Sequence, residues 1–255
     1  MMSYFTKIAA FSLFCFIADI GLLHADTTTD LSHKLAIIDS KRDGKLTTAQ
    51  ELEQECLNLL TNVSTPEDSG LIYAEMALVY AKNGIGQPAK KMALSKLALQ
   101  YPLADTLTVR MYVVWVSSLH KLYSDSLANN DKAILRIELA KVCLNGLKYI
   151  LPHDLSQATQ DLPSVPMFDY IGSTDSPLYQ ELVRENREAF ARRREIEKQK
   201  LLVRYRDIFI DKLIYLIKLD PGTKSQIEQL AHSILSNADD AKEVLSLIER
   251  KLSGD

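Results

Sequence analysis

The sequence predicts an all-α protein of antiparallel helical hairpins, followed by one long helix and a C-terminal helical hairpin. Apolar residues recur at about the 3.6-residue helical period in successive segments, and helix start and stop signals separate these segments. Glycine and proline are scarce, at 9 and 8 of 255 residues. A chain rich in β-strands would need more turn residues, so helices are favoured throughout.

Helix starts in the first half of the chain follow from capping residues. Thr48 followed by Glu51 is a capping-box pattern and predicts a helix to about residue 61. The run Ser64-Thr65-Pro66-Glu67-Asp68 predicts the next helix, because it supplies a cap hydroxyl, a proline in the first turn and acids near the N-terminus. Gly84 ends that helix. Further helices are predicted over residues 88–101, 106–123 and 130–151.

The second half of the chain begins with a break in this pattern. Residues 152–176 contain three prolines and Gly172 without helical periodicity, so they predict a loop that is long for a compact domain. Pro177 opens the longest helix, which we expect to reach residue 219 because no helix breaker intervenes. Thr223 and Asn237 are the predicted N-caps of two final helices, which end near residues 236 and 252.

The N-terminal segment, residues 1–25, predicts a cleaved signal peptide. Lys7 supplies a short positive region, residues 8–23 are mostly apolar, and Ala25 offers a small residue before a cleavage point. An uncleaved anchor is the alternative, although Asp19 and a length of 16 residues disfavour a span of about 30 Å of hydrocarbon. We therefore expect an exported protein, periplasmic or secreted, with no stable membrane span beyond this segment. The expected domains are residues 26–151 as a helical-repeat region, 152–176 as a proline-containing loop, and 177–255 as a long helix with a hairpin.

Net charge bears on the expected partners, and cysteine content bears on disulfide formation. The formal net charge is −3, which gives no overall basic field for nucleic acid, so nucleic acid is not an expected partner. Cys56 and Cys143 remain once residues 1–25 are set aside. We expect two buried, reduced thiols, with a single disulfide as the alternative.

Two neighbouring helical units share a pattern of large and small residues. The first contains Tyr73-x2-Met76-Ala77-x2-Tyr80-x3-Gly84, then Ala98 and Pro102 in its second helix. This pattern resembles the tetratricopeptide repeat over residues 66–102, in which the small residue lets helices approach closely. A second unit over residues 106–150 resembles it through Tyr112, Trp115, Val116 and Leu119, followed by Ala133, Ile137 and Ala140.

The resemblance implies a short superhelix whose first helices line a groove for a protein or peptide. In the first unit the corresponding groove positions are Leu71, Ala74, Leu78, Ala81 and Lys82, and in the second they are Arg110, Val113, Ser117, His120 and Lys121. The cations among them suit an acidic peptide. The residues expected to contact the partner are Lys82, Arg110, Ser117, His120 and Lys121. A small-molecule or lipid-binding protein or enzyme, with a pocket between the long helix and the repeat-like region, is the alternative.

Other segments carry weaker functional patterns. Residues 39–46 follow half of an EF-hand loop, but Lys41 stands where an oxygen ligand is needed, so we expect a polar turn between two helices. Basic residues between 184 and 206 alternate with glutamates, which predicts a solvated helix face with ion pairs; an acidic partner is the alternative. The five histidines lack metal-ligand spacing and no catalytic motif occurs, so no catalytic residue, metal or cofactor is expected.

Overall fold

The computed structural model describes residues 29–44, 47–83, 87–126, 129–163, 177–235 and 237–254. The predicted signal peptide and residues 164–176 of the predicted loop lie outside the described residues. The chain divides into two compact units, Met1–Asn145 and Gly146–Asp255.

The described residues form helices and contain no β-strand, so the all-α prediction is confirmed. The helices that begin in the first unit are α1 (Thr29–Gly44), α2 (Ala49–Leu60), α3 (Pro66–Asn83), α4 (Pro88–Ala98), α5 (Asp105–Asp125) and α6 (Asn129–Lys148). The second unit holds the end of α6 and then α7 (Pro177–Leu219), α8 (Thr223–Ile234) and α9 (Ala238–Ser253).

Most predicted helix starts are confirmed, and one cap is wrong. Thr48 accepts a hydrogen bond from the Glu51 backbone N–H, and Glu51 accepts one from the Thr48 N–H at 2.8 Å. Asn237 caps α9 by accepting from the Asp240 N–H at 2.7 Å. Thr223, however, is the first residue of α8 and is buried, so it is not the cap. The turn before α8 is held instead by Asp220, whose carboxylate accepts from the Gly222 N–H.

Helices α1 to α5 pack in a repeating order. The first helix of each hairpin contacts its own second helix and also the first helix of the next hairpin: α1 packs on α2 and α3, and α3 packs on α4 and α5. Each second helix also contacts the first helix that follows it, since α2 packs on α3 and α4 on α5. The hairpin α1–α2 therefore precedes the two units in which the sequence pattern was found.

Helix α3 is the centre of the first unit because four helices pack on it. Its Ile72, Ala77 and Tyr80 are at most 2% exposed. A Cβ atom at Gly70 would lie 2.7 Å from Cβ of Tyr101, so glycine is what lets α3 approach the segment between α4 and α5. The buried Ala77 is the small residue that the repeat pattern places between helices.

In the second unit, α7 packs on α8 and α9, which form the predicted C-terminal hairpin. A Cβ atom at Gly146 would overlap the ring of Phe209, so the lack of a side chain at this position leaves room for the buried aromatic ring. The described part of the predicted loop is tied to α7, since the Gln157 N–H donates to Oε1 of the buried Gln199 at 2.9 Å.

Candidate functional site

The first-helix face, the side of α1, α3 and α5 that the resemblance assigns to a partner, is closed along the middle of α3. Leu71, Ala74 and Leu78 are at most 7% exposed, so the expectation that they line an open groove is wrong. The physical reason is that α3 is surrounded by α1, α2, α4 and α5. The side chains of Ala81 and Lys82, one turn further along α3, are exposed.

Helix α5 presents three of the predicted contact residues together. Ser117 and Lys121 are exposed and His120 is half-buried, and their spacing of three and four residues places them on one side of the helix. The adjacent Ser118 points inward and donates from Oγ to the Val114 carbonyl at 2.8 Å. Lys121 donates to Asp125 at 3.0 Å. The α5 part of the face is therefore polar and accessible.

A buried ionic cluster joins α1 to α3. Arg42 is 2% exposed, and it contacts Asp39 and Glu75, which are 5% and 7% exposed. Arg42 donates to Glu75 at 2.7 Å. Residues 39–44 are the last turns of α1, so the expected polar turn is wrong over these residues. The pairing across helices, rather than a loop, explains why acids and a base alternate there.

Burial and neighbouring charges shift the pKa values of Glu75 and of the adjacent Asp43 in opposite directions. Burial raises the pKa of Glu75 above its usual range, against the opposing pull of Arg42 and Arg110. Partial burial also raises the pKa of Asp43. Hydrogen bonds and positive charge from Lys82 and Arg42 outweigh this effect and hold the pKa of Asp43 below its usual range. Arg110 is half-buried.

Each cation predicted to hold an acidic peptide thus has an acidic neighbour within the protein. Lys82 forms an ion pair with Asp43, and Lys121 with Asp125. Arg110 acts electrostatically on Glu75. The structure therefore brings Lys82 to the end of α1 and groups Ser117, His120 and Lys121 on α5, on a face whose charges largely cancel. Sequence reasoning missed Asp39, Arg42 and Glu75, because a residue 33 positions away could not be recognised as a partner.

The second predicted unit differs from the prediction along α6. Ala133 is exposed and Ile137 is 39% exposed, so the expected packing of these residues is wrong, whereas Ala140 is buried as expected. Trp115 is half-buried beneath Lys96, whose Nζ lies 4.6 Å from the ring centroid. Lys96 also donates to Glu138 of α6 at 2.9 Å, and this ion pair joins α4 to α6.

Metal ligands and reactive cysteines were sought among the described residues. No group of three or more histidine, cysteine or acidic side chains in them is arranged to hold a metal ion. Cys56 and Cys143 are buried and are not joined in a disulfide, and burial raises the pKa of the Cys56 thiol, which keeps it protonated and unreactive. Within the same part of the chain, no helix combines the length and the apolar character needed to cross a membrane.

Comparisons with protein-family models, with curated proteins and with solved structures found no match for this chain. The family resemblance therefore depends on the residue pattern, and its structural support is the packing order of α1 to α5.

Proposed function

We propose that the protein is a helical-repeat module of the tetratricopeptide type that binds a protein or peptide partner. One observation carries this proposal: α1, α3 and α5 are neighbours, and α1 and α3 are each backed by the second helix of their own hairpin. That order is what a stack of tetratricopeptide hairpins requires, and here it comprises the hairpins α1–α2 and α3–α4 followed by α5. In a stack of this kind the first helices share one face, and here that face is accessible at the end of α3 and on α5.

The accessible parts of that face would hold the partner. They are Lys82 at the end of α3 and Ser117, His120 and Lys121 on α5. A carboxylate on the partner would have to compete with Asp43 for Lys82 and with Asp125 for Lys121. Solvent-exposed pairs are worth only about 0.2–1 kcal/mol each. Acidic side chains would therefore contribute modestly, and hydrogen bonds to Ser117 and His120 would share the recognition.

We also propose that the protein is exported and acts in the periplasm or after secretion. The support is the N-terminal sequence, with Lys7 before a mostly apolar stretch over residues 8–23. Sequencing the N-terminus of the mature protein tests this. We expect a new N-terminus near residue 26, and intact Met1 on cytosolic protein would contradict export.

Charge reversal tests the proposed binding face. A partner is first captured from the exported fraction on the immobilised protein and identified, and its Kd is then measured against variants. We expect Lys82→Glu with Lys121→Glu to weaken binding roughly twofold to thirtyfold, with less effect at high salt. Arg110 is left unchanged because its reversal would place another carboxylate beside buried Glu75.

The matched control for this test reverses Lys141 and Lys148 on α6, which are also exposed. The control has the same net charge as the test variant, but its substitutions lie outside the first-helix face. If that face is the binding site, the control should leave the Kd unchanged. Equal Kd values for both variants and the wild type would show that the partner binds elsewhere.

A further inference from the structure

Helix α7 carries a second surface, which neither the repeat pattern nor the proposed peptide-binding face uses. Between residues 181 and 206 the chain has nine basic and five acidic side chains, although the whole protein is acidic. Most of the acidic side chains form ion pairs or hydrogen bonds with other residues of the same helix. Glu181 pairs with Arg184, Glu197 with Arg193 at 3.0 Å, and Glu195 accepts from Gln199 at 3.2 Å.

Several basic side chains of this segment have no acidic partner in the described part of the chain. Arg187, Arg194, Lys200 and Arg204 are exposed, and none has an ion pair with any acid in the described part of the chain. They are spread over 17 residues, which is about 26 Å along the helix axis at 1.5 Å per residue. The segment is therefore a long positive surface on a protein whose net charge is −3.

An apolar line runs between these cations. At 100° per residue, its four members fall within about 20° of one line as two pairs, Val183 with Phe190 and Leu201 with Ile208. Arg194 and Glu197 lie close to the same line in the gap between the pairs. Arg187 lies on one flank, and Lys200 and Arg204 lie on the other. This line is separate from the fully buried side chains of Leu202, Phe209 and Leu213, which belong to the core. The members of the apolar line are half-buried, and they extend over about 38 Å of the helix axis. They are Val183, Phe190, Leu201 and Ile208.

We propose that this face of α7 binds the surface of a membrane that carries anionic lipids. An apolar line flanked by cations is the arrangement with which a helix lies in the membrane interface, because the apolar side chains enter the headgroup boundary while the cations meet the lipid phosphates. A hydrated polyanion such as DNA satisfies only the cations. A face of this length also fits an extended surface better than a compact ligand.

Vesicle co-sedimentation of the full chain tests the proposal. The vesicles contain phosphatidylcholine alone or phosphatidylcholine with phosphatidylglycerol, and the neutral vesicles measure any binding through residues 1–25. We expect tighter binding to the anionic vesicles, which weakens between about 0.1 M and about 1 M salt as the screening length falls from about 10 Å to about 3 Å.

Two variants of equal net charge separate this face from general electrostatics. The test variant carries Gln at Arg187, Arg194, Lys200 and Arg204, and the control carries Gln at four exposed cations elsewhere, Lys141, Lys148, Lys242 and Arg250. Each basic residue near an anionic surface changes affinity about fivefold, so the loss of four should weaken binding of the test variant by roughly several hundredfold, and binding of the control much less. Circular dichroism confirms that both variants remain helical.

Three results would overturn the proposal. One is equal binding of the wild type to neutral and anionic vesicles. Another is an equal loss in the test and control variants, since net charge alone would then explain binding. The third is displacement of the wild type from anionic vesicles by a low concentration of double-stranded DNA, which would identify a soluble polyanion as the preferred ligand.

Discussion

Replacement of Arg42 by methionine tests the buried cluster most sharply. The substitution keeps much of the side-chain volume but leaves Asp39 and Glu75, at 5% and 7% exposure, without their guanidinium partner. Removing one partner of a buried ion pair costs about 3–5 kcal/mol. We therefore expect the free energy of unfolding to fall by about 4 kcal/mol at pH 7, measured by urea unfolding followed by circular dichroism.

The pH dependence separates lost charge pairing from lost packing. Burial already raises the pKa of Glu75 in the folded protein above its ordinary value of 4.5, and the loss of Arg42 raises it further. A carboxyl group of this kind favours the folded state when protonated, so its contribution is present below about pH 4.5 and is lost as pH rises through the folded-state value. The stability deficit of Arg42→Met should thus be smaller at pH 5 than at pH 7.

The neighbouring Lys41 supplies the control. It pairs with Glu55 at 2.8 Å, but both side chains are more than a third exposed. Lys41→Met should therefore cost no more than about 1 kcal/mol at either pH. The reasoning is refuted if Arg42→Met costs no more than Lys41→Met, or if its deficit is the same at pH 5 and pH 7.

Two further predictions concern close packing. Ala77→Leu should overpack the centre of the first unit and cost about 1–3 kcal/mol, whereas Ala81→Leu on the exposed side of the same helix should change the melting temperature little. If the two variants melt together, Ala77 is not the tight contact that the repeat pattern requires. Gly146→Ala should cost about 1–2 kcal/mol because Phe209 must move, despite the better helix propensity of alanine. Gly44→Ala, with no atom within 4 Å of the added Cβ, should be neutral or slightly stabilising in the same unfolding assay.

Much of the helical architecture follows from local signals in the sequence. The cap at Thr48, the proline at residue 66 and the cap at Asn237 each act within one helical turn, and the structure places helix starts at these positions. The cap at Thr223 fails because a turn stabilised by Asp220 competes for the same position. A short polar side chain near a helix start has more than one use, and the sequence pattern does not distinguish them.

Prediction of the candidate site is limited by contacts between distant residues. The alternation of Asp39, Arg42 and Asp43 indicates a loop when read along the chain, yet Glu75 and Lys82 of another helix complete the ion pairs. In the same way, the groove positions on α3 follow from the repeat pattern, but their burial depends on the four helices around it. Residues on α5 were easier to place, because spacing along one helix fixes which of them share a side.

Site-specific photo-crosslinking shows whether the partner binds the first-helix face. A photoreactive residue is placed at Ser117 on α5 and, in a second protein, at Asn58 on α2; both positions are exposed. We expect the identified partner to be crosslinked strongly from residue 117 and only at background level from residue 58. Equal crosslinking from both positions, or stronger crosslinking from residue 58, would contradict it.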